Sequence, residues 1–127
     1  MSDAQDPDRL ISLTTTVAAE DDARRLARDL VARRLAACVQ LDRGLESHYR
    51  WQGQLCAEPE LRLTVKTTAR RLQAIEAFLA EHHPYQLPQL LWQPLSASTG
   101  YAAWVREQVG GAGEAGDVGN VGNVDGA

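Results

Sequence analysis

Between Leu35 and Thr67 the chain reads LAACVQLDRGLESHYRWQGQLCAEPELRLTVKT, two long extended arms around Gln52-Gly53. In the second arm, from about Gln54 to Thr67, Leu61, Leu63 and Val65 alternate with Arg62, Thr64 and Lys66. A period of two marks a strand with one buried face. The first arm runs from about Leu35 to Trp51, and Gly53 can take the positive φ that a tight hairpin turn requires. With Gln52-Gly53 as a two-residue turn, Tyr49 faces Cys56 and His48 faces Ala57. The His48 and Cys56 side chains then fall on opposite faces, and only a one-residue bulge would unite them. Strands usually have about 5 or 6 residues, and these arms are more than twice as long. A small sheet cannot cover such arms, and the projecting part leaves backbone edges in need of a partner. Copies of the same chain would supply one, so the hairpin predicts an oligomer built through strand edges.

The flanking segments complete the fold class. Leu10 to Val17, rich in β-branched and apolar types, reads as a strand. Ala23, Leu26, Ala27, Leu30 and Val31 follow the i, i+3, i+4, i+7, i+8 spacing of a one-sided helix. Acids at 20 to 22 and arginines at 33 and 34 suit the two ends of its dipole. A second helix over roughly 68 to 83 buries Leu72, Ile75, Leu79 and Phe78, with Pro84 just beyond it. A fourth strand around Gln89 to Leu95 and a short helix around Ser98 to Val109 follow. The order β-α-β-β-α-β plus a C-terminal helix is an α+β arrangement of the ferredoxin-like split βαβ type.

Charge and composition set the boundaries. Of 127 residues 17 are acidic and 13 basic, for a net charge of -4. Residues 1–8 hold three acids and no base, and residues 110–127 do the same. The remaining 9–109 carry 13 bases against 11 acids, a balance of +2. Seven of the ten glycines lie in the last 18 residues, where no apolar side chain is larger than valine. Such a tail buries too little to offset its ordering entropy. The expected organisation is an acidic flexible lead over 1–8, one domain over 9–109 and a Gly-rich disordered tail over 110–127. A body near neutrality lacks the concentrated basic face of a nucleic-acid binder. No apolar run approaches the ~20 residues that span a bilayer, so no membrane partner is expected. The acidic start is the reverse of an export signal, which makes the cytoplasm the expected location and Cys38 and Cys56 free thiols.

His82-His83-Pro84-Tyr85 is the densest group of potential ligands. Two imidazoles could bind a borderline cation such as Cu(II) or Zn(II), or could cap the carbonyls of a helix end. Neighbours on a helix point about 100° apart, so both reach one metal only where the helix frays before Pro84. Cys38 reads either as a buried small thiol or as a nucleophile or metal ligand. No H-x-x-x-H, C-x-x-C, G-x-S-x-G or P-loop spacing is present, and the chain is expected not to be an enzyme.

Five strings stand in order: Leu35-Ala-Ala-Cys-Val39, Tyr49-Arg-Trp-Gln-Gly53, Val65-Lys-Thr-Thr68, His82-His-Pro-Tyr85 with Pro88, and Tyr101-Ala-Ala-Trp104. Together they resemble the CutA divalent-cation tolerance proteins over about residues 10 to 108. The resemblance implies a ferredoxin-like subunit in a compact homotrimer whose hairpins pair edge to edge. It also implies a cytoplasmic protein tied to copper and heavy-metal tolerance, without established catalysis. Some CutA-like proteins bind copper through two histidines before Pro-Tyr and a cysteine ending the first strand. Here His82 and His83 match, while Thr15 stands at the cysteine position and Gln86 and Gln89 replace acids. These departures imply weak binding of Cu(II) or another divalent cation, or a pocket whose ligand is not a metal. Cys38, Trp51, Lys66, Tyr85 and Trp104 match motifs expected to shape clefts between subunits. The alternative expectation is a trimeric regulatory or scaffold protein that takes a small metabolite or protein partner in those clefts.

Overall fold

A computed structural model describes residues 6–110. Residues 1–5 of the expected flexible lead and 111–127 of the expected tail lie outside the described residues. The elements are β1 (Leu10–Val17), α1 (Glu20–Ala32), β2 (Cys38–Trp51), β3 (Gln54–Thr68), α2 (Leu72–His82), β4 (Leu91–Pro94) and α3 (Thr99–Val109), with a 3₁₀ turn at Ala69–Arg71 before α2. The element order is the one expected. All strand pairs are antiparallel, in the order β2-β3-β1-β4.

Alternation along β1 and β3 sends Leu13, Val17, Leu61, Leu63 and Val65 to one face, where they meet Ala23, Leu26 and Leu30 of α1 and Ile75, Phe78 and Leu79 of α2. Leu10 points the other way and meets Val105 and Val109 of α3 together with Ala37. The two helical layers therefore grip opposite faces. Beyond α3, the second face carries Gln40, Asp42, Arg62, Thr64 and Lys66, half-buried or exposed. Residues 6–8 are tied to the body: Asp8 pairs with Arg70 at 3.0 Å, and the Arg106 guanidinium donates to the Asp8 carbonyl.

The hairpin register is the one read from the sequence, with Trp51 opposite Gln54, Tyr49 opposite Cys56 and His48 opposite Ala57. Both turn residues take positive φ, 50° at Gln52 and 80° at Gly53, the backbone of a hairpin turn that follows the strand twist. A Cβ at Gly53 would meet nothing within 4 Å, so only backbone strain opposes a side chain there. Gly53→Ala is expected to cost about 1 kcal/mol in urea denaturation.

The differences from expectation lie at element ends. The first arm begins at Cys38, not Leu35, because Leu35 and Ala36 close α1 instead: both amides donate to the Leu30 carbonyl. Arg34 makes this possible by adopting φ 58°, and its guanidinium donates to the Gln108 carbonyl. The last turn of α1 thus holds no base; Arg33 is its C-cap and lies 4.9 Å over the Phe78 ring. Residues 69–71, expected within the second helix, form the 3₁₀ turn. The fourth strand has only four residues, all exposed, and ends at Pro94, which has no amide proton to extend the ladder.

A bulge also breaks β2. Asp42 pairs with Arg62 and Leu45 with Glu60, so Arg43 and Gly44 together face one residue. Gly44 supplies φ 82°. Arg43 reaches Glu20 at the start of α1, and with Arg24 it holds the Glu20 carboxyl down to about 2. Below the bulge the hairpin is re-aimed, with Leu45, Ser47, Tyr49 and Trp51 sharing a face with Glu60, Glu58, Cys56 and Gln54.

Candidate ligand cleft

The chain leaves α2 at His82 and folds round the end of β1. His83, the C-cap, turns inward and is 8% exposed. The backbone amide of Tyr85 donates to its Nδ1 at 3.1 Å, so Nδ1 carries the lone pair and Nε2 the proton. Nε2 lies 3.0 Å from the Thr16 carbonyl and 3.1 Å from Thr15 Oγ1. Burial pushes the His83 pKa down, against the opposing pull of the Thr16 carbonyl. His82 goes elsewhere: its ring lies 4.6 Å from the Phe78 ring, and Nε2 is 3.6 Å from a Glu81 oxygen.

These contacts decide how the expected metal ligands are used. Both nitrogens of His83 are engaged by the protein, and its neighbour packs on a different partner. A two-imidazole chelate does not fit this arrangement. Among the described residues no group of three or more His, Cys, Asp or Glu side chains could hold a metal. Thr15, at the position where a thiol was sought, is fully buried and serves as the hydroxyl partner of His83.

Fixing His83 places Tyr85 over the hairpin. The Tyr85 hydroxyl donates to Glu60 Oε2 at 2.5 Å, and its pKa is raised, first by burial and then by this carboxylate. Around them opens a cleft of about 840 Å³, walled by Thr16, Ser47, His48, Tyr49, Trp51, Glu60 and the 85–89 segment. Gln86 and Gln89 lie on this wall, and among the described residues no Lys or Arg does. The Tyr49 pKa is also raised, by burial first, with Cys56, Glu58 and Glu60 adding to it.

Of the residues singled out in the sequence, Trp51 and Tyr85 therefore meet in one cleft, with His83 as the fastening behind it. Cys38, Lys66 and Trp104 gather at the other end of the sheet. Cys38 pairs with Lys66 across the ladder, Lys66 Nζ donates to Gln40 Oε1 at 2.6 Å, and Trp104 stacks near Tyr101 at 5.5 Å. Along β2, Cys38 and Trp51 are separated by roughly 40 Å at the usual rise per residue. Within one chain the two groups are separate sites, and His48 is roughly 30 Å too far along the same strand to act as a base for Cys38. Glu60 and Tyr49 were not singled out. The signal was present: with the turn placed at Gln52-Gly53, period two puts Glu60, together with Glu58, on the Tyr49 face.

The description "CutA1 divalent ion tolerance protein" matches residues 11–108. The chain belongs to this family. The divalent-cation tolerance protein CutA of Thermus thermophilus is 41% identical over 96 residues, covering 75% of this chain and 93% of that one. The solved Cut A1 from the same organism superposes with a TM-score of 0.77 at 38% identity, over 80% of this chain and 99% of that one. A CutA from Synechococcus elongatus, solved in complex with a Bis-Tris molecule, gives 0.73 at 37% identity, over 79% and 93%. The family is named for cation tolerance, not for a catalysed reaction.

Proposed function

We propose that this CutA-family chain serves divalent-cation tolerance as a ferredoxin-like homotrimer that binds a small polar molecule in the hairpin cleft. In this reading the protein is regulatory and resides in the cytoplasm, where its two free cysteines stay reduced. The observation that carries it is the division of labour at residues 83–85. His83 spends both nitrogens on holding the 83–85 backbone, and the held segment completes a cleft with a carboxylate and a phenol inside. That is the arrangement of a preformed ligand site, with Trp51, Leu87, Pro88 and the tyrosine rings set among placed polar groups. The Bis-Tris complex of the Synechococcus relative supports small-molecule binding in the family. Trimer formation is supported by the 14-residue edge strand β2 and by exposed Leu55, Leu87, Leu91 and Trp92. A copper chelate on His82 and His83 is the reading this replaces.

Two measurements test it. Bis-Tris, added with a chelator at a mildly alkaline pH where its tertiary amine is uncharged, is expected to raise the melting temperature. Cu(II) titrations of metal-free wild type and of the His82→Ala, His83→Ala double variant are expected to superimpose. A stoichiometric copper site lost in the double variant, with no effect of Bis-Tris, would reverse the reading. Native mass spectrometry of the full chain is expected to show three copies.

A further inference from the structure

Glu60 has an unusual setting for a carboxylate. It is 8% exposed and lies on a cleft wall that, among the described residues, has no Lys or Arg and has His48 as its one basic side chain. Oε2 accepts from Tyr85, while Oε1 has no hydrogen-bond or ion-pair partner among the described residues. A carboxylate drawn into a low-exposure site without a counterion is unfavourable until its oxygens are paired. Tyr85 offsets part of this through one charge-assisted hydrogen bond. Tyr49 and Tyr85 line the same cleft as Glu60, and Glu58 and Glu60 act electrostatically on both rings. Glu58 stands on the same face, one pleat further toward the turn.

The acids and the aromatic rings favour positive charge, and the one basic side chain on the wall, His48, is held 2.6 Å from Glu46. Aromatic faces attract cations through their quadrupole. The carboxylate supplies a free acceptor, and a second acid reinforces the local potential. An anionic or phosphorylated ligand would meet these groups with only His48, already engaged by Glu46, to offset them. A bare divalent ion would find one available carboxylate oxygen where hard cations require at least six oxygen ligands. A cation bulky enough to fill the cleft and soft enough to lie against aromatic rings satisfies all of them.

We infer that the cleft is a site for an organic ammonium ion, seated between Tyr49 and Tyr85 with its charge against Glu60 Oε1. This rests on the cleft reading of the proposed function and specifies its ligand class. Glu60 binds the charge, the two tyrosines face the alkyl groups, and Ser47 supplies a hydroxyl on the same face. His83 is a positioning residue that fixes Tyr85 through its backbone amide.

The test uses choline and its uncharged carbon analogue 3,3-dimethylbutan-1-ol, which share a shape and differ in charge. Both are titrated calorimetrically into the full chain in the presence of a chelator. Choline is expected to bind at least about tenfold more tightly than the neutral analogue. Glu60→Gln, whose amide oxygen can still accept from Tyr85, is expected to remove that preference and leave the neutral analogue's affinity unchanged. Tyr49→Leu is expected to weaken choline several-fold without altering the melting temperature of the free protein by more than a few degrees. Equal affinity of the two probes would overturn recognition by charge while leaving the cleft a small-molecule site. Failure of choline, its analogue and uncharged Bis-Tris alike would overturn the cleft reading and this inference with it.

Discussion

His83→Ala is expected to destabilise the protein by about 3 kcal/mol and to abolish a pH dependence that the wild type shows. The imidazole makes three contacts at once: the Tyr85 amide donates to Nδ1, and Nε2 meets the Thr16 carbonyl and Thr15 Oγ1. Each neutral hydrogen bond contributes about 1 kcal/mol net, and a buried hydroxyl left without its partner adds a further penalty of about 1 kcal/mol or more. Thr15 is fully buried, so solvent cannot replace the ring without rearrangement.

The pH dependence follows from burial, which holds the His83 pKa below its ordinary value of 6.5 in the folded state. Above pH 6.5 the ring is neutral in both folded and unfolded chains, and the shift has no effect. As pH falls through 6.5, the unfolded chain takes up the proton first, which favours unfolding. Stability is therefore lost progressively below pH 6.5 and levels off under the folded-state pKa. Urea denaturation at several pH values, at fixed protein concentration, measures this slope. His83→Gln keeps a polar side chain without a titrating group and is expected to flatten the His83 contribution. An unchanged slope in that variant would show that other groups govern the acid limb.

Leu63→Ala is expected to cost about 3 kcal/mol, within the range of about 2–5 for buried leucines. Leu63 is fully buried in β3, paired with Thr15 on one side and Leu41 on the other, beneath both α1 and α2. Neighbours on two strands and two helices leave little freedom to collapse onto the void. Leu55, close to the turn and 79% exposed, provides the contrast. If the hairpin end stands in solvent, Leu55→Ala should change stability by under about 0.5 kcal/mol. A cost above about 1 kcal/mol that grows with protein concentration would show that another subunit covers it. The pair of substitutions thus separates the core of one chain from the surface shared between chains.

Much of the fold was legible because its signals are local. The Gln52-Gly53 turn sets the hairpin register as far as the bulge at Arg43-Gly44, and the period-two run through Leu61, Leu63 and Val65 marks the buried face of its second arm. The spacing of Leu26 and Leu30, and of Ile75 and Leu79, marked the buried faces of two helices that the structure packs into one core. The element ends were less legible. Leu35 and Ala36 look like strand residues, yet their amides are consumed in closing α1 because Arg34 accepts a left-handed backbone. No nearest-neighbour pattern announces that. The five strings were specific enough to identify the family, which the match over residues 11–108 then showed.

The sequence by itself determined the order of elements, the hairpin register next to the turn and the membership in the CutA1 family, since each rests on periodicity, turn chemistry or matching strings. The tertiary structure decided what the histidines do. Spacing alone made His82-His83 a pair, and only the fold shows that the helix ends between them. One ring lies on Phe78 while the other is spent on Thr15, Thr16 and the Tyr85 amide. It also brought Glu60 and Tyr85, 25 positions apart, to one hydrogen bond. The physical reason is that ligation depends on free lone pairs, and a lone pair is free or engaged according to neighbours that the chain reaches only by folding.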